Sequence, residues 1–65
     1  MADKNVKRLG NYASGATCAN VFKYELYKEN NVFVEVSRLA KIDWGKSRFF
    51  NSVEDAVAYA KSFLG

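Results

Sequence analysis

Two short stretches of strict alternation constrain this chain more than any other feature. In residues 21–28, Phe22, Tyr24 and Leu26 fall on one side and Lys23, Glu25 and Tyr27 on the other. In residues 32–36, Val32, Val34 and Val36 alternate with Phe33 and Glu35. A period of two in β-branched and aromatic residues is the pattern of half-buried strands. Glu29-Asn30-Asn31, between them, has turn chemistry. Parity then sets the loop. A two-residue turn at Asn30-Asn31 would put the two apolar sets on opposite faces, whereas a three-residue loop pairs Leu26 with Val34 and Tyr24 with Val36. The expectation is a three-residue loop with Asn31 in the left-handed conformation, and one core face made by Phe22, Tyr24, Leu26, Val32, Val34 and Val36. It places Glu25 opposite Glu35, a like-charge pair that Lys23 on the diagonal would offset.

The second strand is expected to run on towards Ile42. Asp43-Trp44-Gly45-Lys46 reads as a second turn, with Gly45 supplying a positive φ. Residues 47–50 form a third strand, with Phe50 on the core face and Phe49 opposite. Asn51 and Ser52 are both good helix N-caps, with Glu54 and Asp55 placed to complete a capping box. Val53, Ala56, Val57, Ala60, Phe63 and Leu64 then make a core-facing helical stripe. Gly65 follows the stop. Residues 9–20, rich in small and polar types, read as a loop that could hold one short edge strand around 9–13. Residues 1–8 read as a polar lead-in. The fold class is α+β: a three-stranded antiparallel sheet, or four-stranded with that edge strand, and one C-terminal α-helix packed on one face.

At 65 residues the chain is a single domain, and 49% hydrophobic content is too high for a disordered tail. It has no His and one Cys. An internal disulfide, a Cys/His zinc site and a His-based catalytic pair are therefore excluded. Cys18 lies among small residues with no base to activate it. Glu25 and Glu35 are the only paired carboxylates, and no nucleophile or phosphate-cradling loop accompanies them. The expectation is a non-enzymatic protein without metal or cofactor. No apolar run reaches membrane-spanning length and none reads as a signal peptide, so the expected location is the cytoplasm. A domain this small is marginal without a staple, and a homodimer is one way to complete its core.

Ten Lys and Arg against seven Asp and Glu give a net charge of +3. The cations concentrate after Ser37, where Arg38, Lys41, Lys46 and Arg48 face one acid, Asp43, before Ser52. With Trp44 they form the candidate nucleic-acid-binding set, carried on the sheet and on a hairpin tip at residues 43–46. The face away from the helix would carry Lys23, Tyr27, Phe33 and Phe49 as a partner surface. Its rings admit three readings: core covered by residues 1–20, a surface for another protein or a second copy, or a platform on which nucleic-acid bases stack. Nucleic acid is the favoured ligand. The alternative is a protein-interaction or inhibitor module of the short accessory type that phages encode.

The stretch Phe50-Asn51-Ser52-Val53-Glu54-Asp55-Ala56-Val57-Ala58-Tyr59 resembles the strand-to-helix passage of ethylene-response-factor and arm-type phage integrase DNA-binding domains. The resemblance covers about fifteen residues and the strand order. It implies a three-stranded sheet laid in the major groove with one helix behind it. Lys41, Trp44, Lys46 and Arg48 would then lie near DNA, with Arg38 on a neighbouring strand. The first strand here carries Glu25 in place of the Arg- and Gly-rich pattern of those families.

Overall fold

A computed structural model describes residues 6–25 and 28–62. The architecture is α+β, an antiparallel sheet backed by one C-terminal helix. The strands are β1 (Val6–Ser14), β2 (Thr17–Tyr24), β3 (Val32–Arg38), β4 (Lys41–Ile42) and β5 (Arg48–Phe50), followed by α1 (Val53–Ser62). β1, β2 and β3 lie side by side in chain order, and β4 and β5 both pair with β3. Because β2 occupies one edge of β3 along its whole length, β4 and β5 share the other edge. They are two pieces of one edge strand interrupted at residues 43–47.

The largest departure from the sequence reading is at the N-terminal end. Residues 6–14 form the longest strand rather than a lead-in and a loop, and β2 begins at Thr17. The turn between them is Gly15-Ala16. Gly15 has φ 61° and Ser14 pairs with Thr17. Glycine with positive φ at the first central position is the type II′ arrangement, which suits the twist of a two-residue hairpin. No atom lies within 4 Å of where a Cβ on Gly15 would sit, so only the backbone opposes a side chain there. Gly15→Ala is expected to cost about 1–2 kcal/mol from the left-handed penalty alone. Thermal unfolding checks this: the midpoint should fall by roughly 4–8 °C per kcal/mol for a domain of this size.

The β2–β3 register differs from the parity expectation. Val21 pairs with Val34, Ala19 with Val36 and Phe22 with Phe33, and the Tyr24 amide donates to the Asn31 carbonyl at 2.7 Å. The connection is therefore residues 25–30, and its left-handed residue is Asn30 (φ 52°) rather than Asn31. Leu26 and Tyr27, which the sequence reading placed in the strand, lie outside the described residues. The side chains of β2 are consequently flipped. Ala19 and Val21 face the helix, while Phe22 and Tyr24, expected in the core, lie on the opposite face with Phe33. Glu35 pairs with Asn20, so the expected clash with Glu25 does not arise.

The helix explains the flip. Among the described residues the buried core is Ala19, Val21, Val32, Val34, Val36, Ala56 and Ala60. Ala56 and Ala60 present no bulk, so α1 lies close over β2 and β3. A close-packed interface of that kind takes a floor of valine and alanine and has no room for rings. Tyr12, Phe50 and Tyr59 close its margins. Val53, expected in the stripe, is 41% exposed, and Phe63, Leu64 and Gly65 lie outside the described residues. The Ala56 amide donates to the Ser52 carbonyl, which places Ser52 at the cap. The Asn51 side chain instead accepts from the Asn30 amide at 2.8 Å, tying the β2–β3 loop to the helix start. Glu54 and Asp55 in the first turn and Lys61 in the last complement the helix dipole. No helix among the described residues is long and apolar enough to cross a membrane.

Candidate functional site

The turn that joins β3 to its edge partner is Leu39-Ala40, closed by the pairing of Arg38 with Lys41. It replaces the hairpin tip expected at residues 43–46. Both central residues have positive φ, 55° at Leu39 and 65° at Ala40. That is a type I′ turn, which normally calls for Asn-Gly. Two side chains with a Cβ in the left-handed region cost about 1–2 kcal/mol each. A second cost sits on the same four residues, because Arg38 and Lys41 are directly opposed like charges. A third is the exposure of Leu39, at 71%. The Leu39 amide donates to the Ala16 carbonyl at 3.0 Å, so the β1–β2 turn buttresses this one. Arg38 and Lys41 are exposed and make no ion pair among the described residues.

The remaining members of the predicted basic set divide. Trp44 and Lys46 lie in the 43–47 interruption, just beyond β4. Backbone bonds from the Asp43 amide to the Val36 carbonyl and from the Lys46 and Ser47 amides to the Asp43 carbonyl hold that segment. The Ser47 hydroxyl donates to the Asp43 carbonyl and accepts from the Val36 amide, so β3 keeps its ladder through the gap. Trp44 is 67% exposed. Lys46 Nζ is 3.9 Å from the Asp43 carboxylate, and its carbonyl accepts from the Tyr59 hydroxyl. Arg48 does not join the tip. Its guanidinium sits 5.3 Å from the Phe50 ring centre and 5.4 Å from that of Tyr59, a cation–π arrangement on the helix side. The structure thus brings Arg38 and Lys41 together, leaves Trp44 and Lys46 nearby, and removes Arg48.

The predicted partner surface also divides. Lys23 pairs with Lys7 and Val32, which places it on the helix side of the sheet and away from Phe33. Tyr27 lies outside the described residues. Phe33 and Phe49 are together, with ring centres 4.6 Å apart on the face that α1 does not cover. Tyr24 joins them at 6.5 Å from Phe33 and 6.0 Å from Phe49. Cross-strand pairing makes a continuous row of Arg8, Phe22, Phe33 and Phe49 on this open face. Val6, Arg8, Phe22, Tyr24 and Glu35 line a shallow cleft of about 600 Å³. Arg8, Phe22 and Tyr24 were missed because the sequence reading had them in a lead-in or in the core.

The open face and the basic turn are therefore separate surfaces. Arg38, Lys41 and Arg48 project to the helix side, and the open face carries only Arg8 and Glu35 as charges among the described residues. No group of acidic or sulfur side chains that could hold a metal ion occurs among the described residues. Comparison with protein-family models, curated proteins and solved structures found no match for this chain.

Proposed function

We propose that this protein is a non-enzymatic DNA-binding module that uses the Arg38-Leu39-Ala40-Lys41 turn as its contact. The observation that carries this reading is the concentration of unfavourable local choices there. Backbone strain, a like-charge pair and an exposed Leu all fall on one four-residue turn. Departures of this kind persist where a function requires them. Two opposed cations repel each other in the free protein and are relieved by phosphates on either side. An apolar tip between them is the arrangement of proteins that press a wedge against base steps in the minor groove while basic side chains hold the backbone. Trp44 and Lys46 lie close along the chain and enlarge the contact. The net charge of +3 favours the encounter without giving sequence preference.

Binding to a duplex oligonucleotide, followed by fluorescence anisotropy across a salt series, tests this. Each phosphate contact contributes about 0.9 to the slope of log affinity against log salt. R38A/K41A should keep the fold and lower that slope by about 2. An unchanged slope and affinity would rule out the turn as the contact.

A further inference from the structure

The basic turn is broader than the groove in which its apolar tip acts. Neighbouring strands run about 4.8 Å apart between their axes, so a two-stranded tip with its side chains is on the order of 10 Å across. The minor groove of B-DNA is about 6 Å wide. The tip has no means of thinning itself. The Leu39 amide donates to the Ala16 carbonyl at 3.0 Å, which sets the Gly15-Ala16 turn against it. The Asp43 amide donates to the Val36 carbonyl at 2.7 Å and holds the β3–β4 pair just behind it. The turn also has little with which to read base edges. Leu39 and Ala40 carry no side-chain donor or acceptor. Arg38 and Lys41 flank them as directly opposed cations, exposed and without an ion pair among the described residues. Such cations suit phosphates, and phosphate contacts position a protein without specifying sequence. What the turn offers to a base step is Leu39, 71% exposed.

Building on this turn as the DNA contact, we infer that it kinks the duplex it binds. Leu39 presses into one base step, and the preferred ligand is DNA that unstacks readily there, at a pyrimidine–purine step such as TA or at a mismatch. Two partners of unequal width meet, and the protein side is buttressed by a second turn, so the DNA is the partner that yields. An apolar wedge that partly unstacks a step bends the duplex toward the major groove, which opens the minor groove to the tip. The energy of that deformation depends on the sequence deformed: TA and CA steps kink easily, whereas A-tracts are stiff and keep the minor groove narrow. Preference for sequence then arises without hydrogen bonds to the bases, as a difference in deformation energy.

End-to-end energy transfer in short duplexes labelled at both termini, titrated with the full chain, tests this. Three duplexes identical except at the centre carry a TA step, an A-tract or a mismatch. At saturation the TA duplex should shorten as for a bend of roughly 20–90°. The TA and mismatch duplexes should bind roughly tenfold more tightly than the A-tract duplex. Leu39→Ala, checked for folding by circular dichroism, should bend the DNA less and bring the three affinities together. A saturated TA duplex of unchanged length overturns the kink, and so do equal affinities of the wild type for the three duplexes. Either result with binding intact leaves the turn as a DNA contact and shows a ribbon seated in the major groove, which at about 12 Å admits it undeformed. Bending by Leu39→Ala equal to that of the wild type removes Leu39 as the wedge. Absence of binding to every duplex removes the DNA contact and the kink together.

Discussion

Val21→Asp should abolish the folded state, whereas Phe22→Thr, one residue along, should leave the domain folded. The two side chains lie on opposite faces of β2. Val21 is fully buried, paired with Val34 beneath the alanines of α1. An unpaired carboxylate there has neither water nor a cation, and such a substitution costs several kcal/mol. The whole stability of a domain of this length is on the order of 3–10 kcal/mol. Phe22 is half-buried on the open face, and Thr keeps the strand preference of the position while removing the ring. Circular dichroism, followed through thermal unfolding, gives the readout. If Phe22→Thr unfolded the chain and Val21→Asp did not, the face assignment of the whole sheet would be inverted.

That pair also marks where the sequence was legible. β3 and the helix could be read directly, because Val32, Val34 and Val36 and the Asn51-Ser52 start carry strong local signals. The strand order and the α+β class followed from them. The face of β2 did not follow, although the parity argument was sound. Its premise was that the larger apolar set, Phe22, Tyr24 and Leu26, belongs in the core. Ala56 and Ala60 reverse that premise, because a helix lying this close takes the smaller set, Ala19 and Val21. The information was present in the alanines of the helix, but it acts between elements that are distant in the chain. β1 was hidden for another reason. The register slips between Arg8 and Gly10, so Leu9 is unpaired and the alternation changes phase in the middle of the strand. An edge strand also needs no strong apolar alternation, since little of it is buried.

The candidate site was half legible. The basic stretch from Arg38 to Arg48 was visible as composition, and Arg38 and Lys41 do stand at a hairpin tip. The tip itself was misplaced because Gly45 is a far better turn residue than Leu39 or Ala40. Local preference pointed to residues 43–46, and a turn does form there, with the Lys46 amide donating to the Asp43 carbonyl at 3.1 Å, but without the positive φ expected at Gly45, and it interrupts the edge strand instead of capping a hairpin. A turn made from residues that resist it leaves no trace in propensity. It shows only as a positive φ in the structure.

The same misfit predicts that Leu39→Asn with Ala40→Gly makes a more stable protein that binds DNA less well. Asn and Gly are the preferred pair for this turn and remove most of the left-handed penalty at both positions. Gly returns part of that gain, because it adds freedom to the unfolded chain. The net is about 1.5 kcal/mol, which corresponds to a rise of roughly 6–12 °C in the unfolding midpoint. Leu39 is 71% exposed, so its loss removes little packing, and the Leu39 amide that bonds to Ala16 remains as a backbone group. Arg38 and Lys41 are retained, so the salt dependence of DNA binding should stay as in the wild type. The affinity should fall at every salt concentration, because the apolar tip is gone. This separates the two parts of the turn: R38A/K41A changes the slope, and L39N/A40G changes the intercept. A more stable variant with unaltered DNA affinity would show that Leu39 makes no contact with the bases. A variant with no gain in stability would show that the turn does not hold these angles in solution.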